Sequence, residues 1–380
     1  MPRRIPFFVC LVTILSAAAF AQSPVAYVYV TGLMQPLDPQ INAFSVAPSG
    51  ELTPVEGSPF AALTSGSMVV NPHFLFGTDG ASIYSFSIAS NGSLTPVFSV
   101  NVQQFNGNCG GPGPLFIDRT GSTLYDLDFY GSQCLNNSYQ AFDINQSTGA
   151  LTNLGLVGAP NDWFFEPLSF IGNNMFAYGV DCLGDMYWTT AGFQRNDDGT
   201  LTELPAAFKT PVPKSGEFYC PTLTAPDSTN HLAVSVQAVG PYLQQGGPPQ
   251  LATYTAMNDS PGIIVTGSTY ANMPSTAVQN VSDIAMSPSG RLLAVSGTQG
   301  FQVFHFNGSS PITPYTALLA PGTIVDQLCW DNNNHLFAIS HSANKLWVLT
   351  VTPARVIQAP GSPYTITQPS DIVTYMPPSS

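Results

Sequence analysis

The chain has 380 residues, of which 8% are charged, and its formal net charge at pH 7 is −13. With nine basic against 22 acidic residues, it lacks the clustered lysine and arginine that phosphate binding requires, so we expect no nucleic-acid partner. Glycine and proline number 33 and 34, a composition that predicts many turns and few long surface helices.

The N-terminus has the residue order of a secretory signal peptide. A pair of arginines precedes an apolar stretch from Ile5 to Ala19, and the small residues at Ala19 and Ala21 form a cleavage pattern. The apolar stretch is shorter than the roughly 18 to 20 residues of a membrane-spanning helix, and no other segment approaches that length. We predict a signal peptide over residues 1–21, one domain over residues 22–380 that is secreted or periplasmic, and no transmembrane segment.

A pattern with a period of roughly 50 residues then recurs along the chain. Each copy has alternating apolar residues, a glycine-containing turn, and Leu-Thr followed by an apolar residue, as in Ile83–Val97. The alternation of period two predicts a half-buried strand, and the Asn-Gly turn reverses the chain into the next strand. The seven copies run over Ile41–Val55, Ile83–Val97, Tyr139–Leu154, Thr189–Leu204, Leu251–Val265, Phe301–Tyr315 and, as a strand pattern alone, Leu346–Ile357.

A second hairpin pattern precedes most copies, most clearly at Ser282–Val295 and Val325–Ile339. Two hairpins per unit give four strands, which is the composition of a propeller blade. The first unit lacks an inner strand, whereas the chain ends with Ser370–Tyr375, an inner strand without a blade. We therefore predict an all-β, seven-bladed β-propeller with four-stranded antiparallel blades, in which the C-terminal strand closes the ring and removes an open sheet edge.

These two patterns, Tyr84–Val97 and Ser282–Val295, resemble the repeats of the lactonase family of seven-bladed propellers, which includes 6-phosphogluconolactonase. They are also similar to YVTN-type surface propellers. The resemblance spans about residues 25–375, and its motifs describe strands and turns. It implies hydrolysis of a sugar lactone, with catalytic residues that stay unassigned.

The strands of a blade are labelled A to D from the central channel outward. Because strands alternate in direction, the D-to-A and B-to-C connections emerge on one face, here called the loop-bearing face, and the short A-to-B and C-to-D turns lie on the opposite, plain face. The long insertions fall on the loop-bearing face, and loops on a rigid scaffold often carry binding residues. Aromatic residues of these loops either bind a sugar or apolar ligand or pack the loops down. The candidates for binding are Trp163, Tyr187, Trp188 and Tyr219, together with His341, the one histidine on this face.

Cysteines lie in the same connections. Removal of the signal peptide leaves an odd number, which in an exported chain leaves at least one unpaired. We predict disulfides between Cys109 and Cys134 and between Cys182 and Cys220, although four cysteines allow three pairings. Cys329, within an inner strand, is predicted to be a buried free thiol.

Four acidic residues align at one repeat position, immediately before strand A. Glu166, Asp283, Asp326 and Asp371 would surround the channel mouth on the loop-bearing face, where carboxylates could bind a ligand or Ca²⁺, or act as acid and base. Alternatively, each accepts backbone N–H bonds from the neighbouring blade. Common zinc and serine-hydrolase motifs are absent from the sequence. We expect no cofactor, with Ca²⁺ as the one candidate.

Two functions remain open at this point. The first is an exported, monomeric propeller that binds a small molecule, a glycan or a surface protein on its loop-bearing face. The alternative is a lactonase-like hydrolase, similar to 6-phosphogluconolactonase, that acts at the channel mouth. A carboxylate within hydrogen-bond reach of His341 or of an arginine would favour the enzyme.

Overall fold

The computed structural model of the protein describes residues 23–34, 38–62, 64, 66–102, 113–130, 136–157, 167–172, 174–183, 187–204, 208–240, 245–257 and 262–378. These residues form β-strands and turns and contain no helix. The strands assemble into seven separate antiparallel sheets of four or five strands, which confirms the predicted seven-bladed propeller.

The blades follow the chain in order, with one exception at the closure. Their strands, from A to D, are β30 (Asp371–Tyr375), β1 (Ala26–Met34), β2 (Asp38–Val46) and β3 (Leu52–Pro54) in blade 1; β5 (Met68–Val70), β6 (Phe74–Thr78), β7 (Ser82–Ile88) and β8 (Leu94–Asn101) in blade 2; β9 (Leu115–Ile117), β10 (Thr123–Tyr130), β11 (Asn136–Ile144) and β12 (Leu151–Val157) in blade 3; β13 (Ser169–Phe170), β14 (Phe176–Leu183), β15 (Tyr187–Arg195) and β16 (Leu201–Glu203) in blade 4; β17 (Phe218–Pro226), β18 (His231–Val239), β19 (Gln250–Ala256) and β20 (Ile264–Val265) in blade 5; β21 (Val281–Met286), β22 (Leu292–Gly297), β23 (Gly300–Asn307) and β24 (Ser310–Pro314) in blade 6; and β25 (Gln327–Trp330), β26 (His335–Ser340), β27 (Lys345–Thr352) and β28 (Arg355–Gln358) in blade 7. Two short outer strands complete the set, β4 (Phe60–Ala61) beside β2 and β29 (Tyr364–Thr365) beside β27.

The C-terminal strand closes the ring as the sequence predicts. Strand β30 pairs with β1 in antiparallel register, from Tyr27 opposite Tyr375 to Thr31 opposite Asp371. Ile372 on β30 is buried. The last strand of the chain is therefore the inner strand of the first blade.

The hydrophobic core is divided among the interfaces between adjacent blades. For example, Phe337 and Val348 of blade 7 pack in one cluster with Val28 and Val46 of blade 1. Each sheet buries both faces in this way, because the period-two alternation sends apolar side chains to the blade on either side.

The outer turns also connect neighbouring blades. Tyr29 of blade 1 donates its hydroxyl hydrogen to the carbonyl oxygen of Gly92 in blade 2, at 2.9 Å. Gly92 has φ 83°, and a Cβ atom there would collide with the ring of Tyr27, so the turn requires glycine. The same tyrosine-to-glycine bond recurs from Tyr125 to Gly199 and from Tyr178 to Gly262.

Candidate functional site

A residue at or beside the start of strand A makes a hydrogen bond to the next blade at several positions around the channel. Asp283 and Asp371 were predicted immediately before strand A, but they lie within β21 and β30. Asp371 accepts the backbone N–H of Met68, and Asp283 accepts that of Leu328 at 2.7 Å. Ser67 accepts the N–H of Leu115 at 3.0 Å. Each of the two aspartates also accepts the N–H of the residue that follows it, at 2.7 Å. Both oxygens of each carboxylate thus bond backbone, as in the structural alternative considered for these residues.

The structure corrects the repeat register in blade 7. Asp283 pairs with Ser296, and the residue that occupies the same place in blade 7 is Gln327, which pairs with Ile339. Gln327 makes the equivalent inter-blade bond, because its Oε1 accepts the N–H of Ile372 at 3.2 Å. Asp326 lies one residue earlier. Among the other acidic candidates, Glu166 lies outside the described residues.

Asp283 and Asp371 are carboxyl groups whose pKa values are raised above the usual value for aspartate. Burial raises the pKa of Asp371 to about 7 against the lowering effect of its backbone hydrogen bonds, and the charge of Asp283 raises it further. Burial likewise raises the pKa of Asp283 to about 6. Among the described residues, neither carboxylate nor that of Asp326 forms an ion pair with lysine or arginine. The loop-bearing end of the channel therefore has an acidic arc, defined here as Asp283, Asp326 and Asp371, to which no lysine or arginine of the described residues is paired.

His341 joins this arc through one hydrogen bond and contacts the segment before β30 through a second. Its backbone N–H donates to Oδ2 of Asp326 at 2.6 Å, and its Nδ1 lies 3.2 Å from the carbonyl oxygen of Pro369. A carbonyl oxygen can only accept, so Nδ1 carries the hydrogen in this bond. In the neutral ring, Nε2 then has a lone pair, and the His341 side chain is exposed at the mouth. Asp326 thus bonds the backbone of His341 and not its ring, so no carboxylate among the described residues contacts the imidazole in the way that would favour a hydrolase.

The structure describes the side chain of only one of the four aromatic candidates, Tyr219. Tyr219 is buried, with 1% of its surface exposed, and its hydroxyl donates to Oε1 of Gln250 at 2.6 Å. This corrects its assignment as an exposed binding residue, because β17 places it in the core between blades. Tyr187 and Trp188 lie on β15, but their side chains are outside what the structure describes, as is Trp163 entirely.

An exposed aromatic residue that the sequence analysis missed lies on the same face. Tyr270, in the connection between β20 and β21, is 48% exposed. Its ring lies 5.8 Å from Nζ of Lys214, and its backbone N–H donates to the carbonyl oxygen of Val212. Apart from its length, nothing in the sequence of this connection marks it as a binding loop. Sequence alone therefore does not distinguish Tyr270 from a tyrosine of the core.

The cysteines bear out one predicted pairing. Cys182 at the end of β14 and Cys220 in β17 form a disulfide with a Cα–Cα distance of 5.2 Å, which joins blade 4 to blade 5. Cys109 and Cys134 lie outside the described residues. Cys329 is a free thiol that is partly exposed, and burial together with the nearby aspartates raises its pKa well above the usual value, which disfavours the nucleophilic thiolate.

A metal site is not formed by the described side chains. No group of three or more histidine, cysteine, aspartate or glutamate residues among them is arranged to hold an ion. In Asp283 and Asp371, each oxygen already accepts a backbone hydrogen bond. A Ca²⁺ ion at this mouth would have to draw ligands from residues such as Glu166 that lie outside the described part.

Three further aspartates occupy one repeat position at the plain face, after strand A. Asp331 accepts the N–H groups of Asn333 and His335 and binds Nδ1 of His335 at 2.6 Å. Asp227 and His231 repeat the arrangement in blade 5, with Nδ1 at 2.8 Å. In blade 3 the equivalent residue, Asp118, pairs with Arg195 at 2.8 Å. The sequence signal was an aspartate that opens the A-to-B turn in blades 3, 5 and 7, followed four residues later by histidine in blades 5 and 7.

Comparison with known proteins identifies structures of similar fold, but it does not establish an activity for this chain. No protein-family model matches the chain, and no curated protein matches it by sequence. Among solved structures, the periplasmic gluconolactonase of Pseudomonas aeruginosa superposes with a TM-score of 0.65 at 12% identity, over 93% of this chain and 99% of that one. The 6-phosphogluconolactonase candidates of Bacteroides fragilis and Bacteroides uniformis give TM-scores of 0.64 and 0.66 at 15% and 13% identity. They cover 94% and 93% of this chain and 99% and 100% of theirs.

At these identities the likeness is one of fold, that of a seven-bladed β-propeller. A search of the described residues for a membrane-spanning helix finds none.

Proposed function

We propose that this protein is exported and binds a small uncharged ligand at the loop-bearing mouth of its channel, with a sugar lactone as the ligand class. The observation that carries the proposal is the acidic arc without a paired lysine or arginine among the described residues. A phosphorylated or carboxylated ligand would meet repulsion there, whereas hydroxyl groups could donate to Asp326, whose carboxylate accepts a single hydrogen bond among the described residues. The disulfide between Cys182 and Cys220 and the N-terminal signal pattern support export.

Hydrolysis of the bound lactone is the second candidate, and His341 favours it. Its Nδ1 donates to a backbone carbonyl, which orients the ring and leaves the Nε2 lone pair to take a proton from water. The activated water would attack the lactone carbonyl carbon, the ring C–O bond would break, and the released alkoxide would take up a proton. Three structures of similar fold bear lactonase names, which agrees with this candidate at the level of fold.

The test separates binding from turnover. Purified mature protein is titrated calorimetrically with an unphosphorylated sugar lactam, which has the shape of the lactone but does not hydrolyse, and with its phosphorylated counterpart. Ring opening of the matching lactones is followed against the spontaneous rate. We expect binding of the unphosphorylated lactam and weaker or no binding of the phosphorylated one. Absence of binding to every uncharged ligand of the panel would contradict the proposal.

His341→Ala then decides the second candidate. If His341 is a general base, this variant lowers turnover by roughly 10²- to 10⁴-fold while the lactam still binds. His73→Ala is the matched control, because His73 is exposed at the plain face. Lactam binding without any turnover in the wild-type protein would leave the protein as a binding propeller and refute hydrolysis.

A further inference from the structure

The plain-face end of the channel forms a second depression that the proposed function does not use. It has a volume of about 460 Å³ and is bounded by the inner strands and turns of blades 2 to 5. Its lining includes Val70, Ser169, Phe170 and the turn from Asp118 to Gly121. This volume lies within the range of roughly 300–1,000 Å³ that small-molecule sites occupy.

Arg119 crosses this depression and is held in one conformation. Its Nη1 donates to the carbonyl oxygen of Phe170 in blade 4 at 2.9 Å and to that of Asp227 in blade 5 at 2.6 Å. Its backbone N–H donates to Oδ1 of Asn174 at 2.7 Å. The side chain therefore starts in blade 3 and is fixed by two further blades, so a ligand would lose little side-chain entropy on binding it.

The fixed position leaves one edge of the guanidinium available. The two carbonyl contacts use both hydrogens of Nη1, and no described residue accepts from Nη2 or Nε. The Nη2 and Nε hydrogens are parallel and match the two oxygens of a carboxylate.

The side chains of the nearby acidic groups are bonded to other partners and not to Arg119. Asp118 is paired with Arg195 and accepts the hydroxyl hydrogen of Thr120. The carboxylate of Asp227 is bonded to His231 and Thr229. Arg119 itself has no ion-pair partner among the described residues, although the charge of Asp227 acts on it. A positive charge without a direct partner thus remains in the depression.

We propose that the plain-face depression is a binding site for the carboxylate of a small organic acid, held side by side on Nη2 and Nε of Arg119. The site is independent of the loop-bearing mouth and differs from it in sign. Among the described residues, one end has carboxylates without an ion-pair partner and the other has the Arg119 guanidinium without one. A carboxylate pair of this kind is stronger than a neutral hydrogen bond and has a fixed geometry.

The experiment is calorimetric titration of the full mature protein with gluconate and acetate, in a buffer free of carboxylate and phosphate. Sorbitol serves as the uncharged probe, since it has the hydroxyl groups of gluconate without the carboxylate. We expect both acids to bind and sorbitol not to bind. Arg119→Gln should weaken carboxylate binding at least roughly tenfold. Arg119→Lys keeps the charge but not the paired donors, so its affinity should lie between those of the wild-type protein and the glutamine variant. Absence of binding by the wild-type protein would overturn the proposal.

Controls separate this site from others. Arg291→Gln removes an exposed arginine from another plain-face turn and should leave binding unchanged. His341→Ala should also leave carboxylate binding unchanged, whereas Arg119→Gln should not alter lactam binding at the opposite mouth. Arg119 joins three blades, so its replacement by glutamine could also disturb folding. Thr120→Trp therefore serves as a second variant, because it fills the depression and retains Arg119. A folded Thr120→Trp protein with wild-type affinity would refute the site.

Discussion

The two ends of the channel use aspartate in the same structural way and differ in what compensates the charge. At the loop-bearing mouth, Asp283 and Asp371 accept backbone N–H groups and have no paired cation among the described residues. At the plain face, Asp227 and Asp331 also accept backbone N–H groups, but each in addition binds a histidine ring. Aspartates at both ends thus accept backbone N–H groups, but only those at the plain face also have a histidine partner.

The difference appears in the acidity of the carboxyl groups. Burial raises the pKa of Asp371 to about 7 and that of Asp283 to about 6. Burial alone would also raise the pKa of Asp227, but hydrogen bonds from Thr229 and His231 together lower it below the usual value. Hydrogen bonds from the backbone thus do not suffice to stabilise a buried carboxylate, whereas a nearby side-chain donor does.

The largest expected effect follows from removal of the strand that carries Asp371. Deletion of residues 370–380 removes β30, its pairing with β1 and the bond to Met68. The ring would then be open, with an exposed sheet edge on blade 1. We expect loss of cooperative thermal unfolding by circular dichroism. Deletion of residues 377–380, beyond β30, is the control and should retain it; a truncated protein with the wild-type transition would disprove closure by β30.

Truncation of single aspartates at the two ends gives the next largest effect. Asp331→Ala leaves the N–H group of Asn333 and both the N–H group and Nδ1 of the buried His335 without an acceptor. At about 1–3 kcal/mol for each unsatisfied buried donor, we expect the free energy of unfolding to fall by about 3–5 kcal/mol. Asp283→Ala also removes an acceptor, but it relieves an unpaired buried charge and should cost about 1–2 kcal/mol. Urea unfolding measures both, with the exposed Asp197→Ala expected within about 0.5 kcal/mol of wild type. An equal loss at Asp283 and Asp331 would remove the distinction between the two ends.

The pH dependence of stability should have opposite signs at the two ends. An aspartate in the unfolded chain has a pKa of about 3.9. The pKa values of Asp283 and Asp371 are higher in the folded protein, so between pH 4 and pH 7 the folded state still binds protons that the unfolded state has released. The stability that this proton binding contributes is lost as the pH rises towards 7. The melting temperature should therefore fall between pH 5 and pH 8, and the double variant Asp283→Asn/Asp371→Asn should lose this slope.

Asp227 is the internal comparison for that measurement. Its lowered pKa gives stability that is present above the unfolded value of about 3.9 and lost in stronger acid. Asp227→Asn should consequently leave the slope between pH 5 and pH 8 unchanged. A wild-type melting temperature that is constant or rises over this range would contradict the assignment for Asp283 and Asp371.

Calcium should have the smallest effect. The oxygens of Asp283 and Asp371 are bonded to backbone, and the described residues offer no group of three ligands. We expect millimolar Ca²⁺ to leave the melting temperature of the wild-type protein unchanged. A clear rise that Asp283→Asn abolishes would instead establish the calcium site considered from the sequence.

Sequence patterns predicted the fold well because each blade repeats the same hydrophobic alternation and turn. The closing strand, the position of Asp283 and Asp371 and the pairing of Cys182 with Cys220 follow from that repeat. Blade 7 was misaligned by one residue because Asp326 matches the acidic pattern, whereas the register is set by the backbone pairing of Gln327. Local sequence does not record such a shift.

Contacts between distant blades could not be predicted in this way. Arg119 reaches Phe170 and Asp227, which are 51 and 108 residues away, and its own turn gives no sign of either. The burial of Tyr219 depends likewise on the packing of blade 5 against Tyr178 and Val180 of blade 4. Repeat patterns determine where a strand lies, but side chains that cross between blades depend on the assembled ring.

The contrast between the two ends is tested most directly by the side-chain carboxyl ¹³C resonances of Asp371 and Asp227 as a function of pH, assigned with the corresponding asparagine variants. The account predicts that Asp371 titrates near pH 7, whereas the pKa of Asp227 lies below the usual aspartate value. Titration of both carboxyl groups together near pH 4 would contradict it.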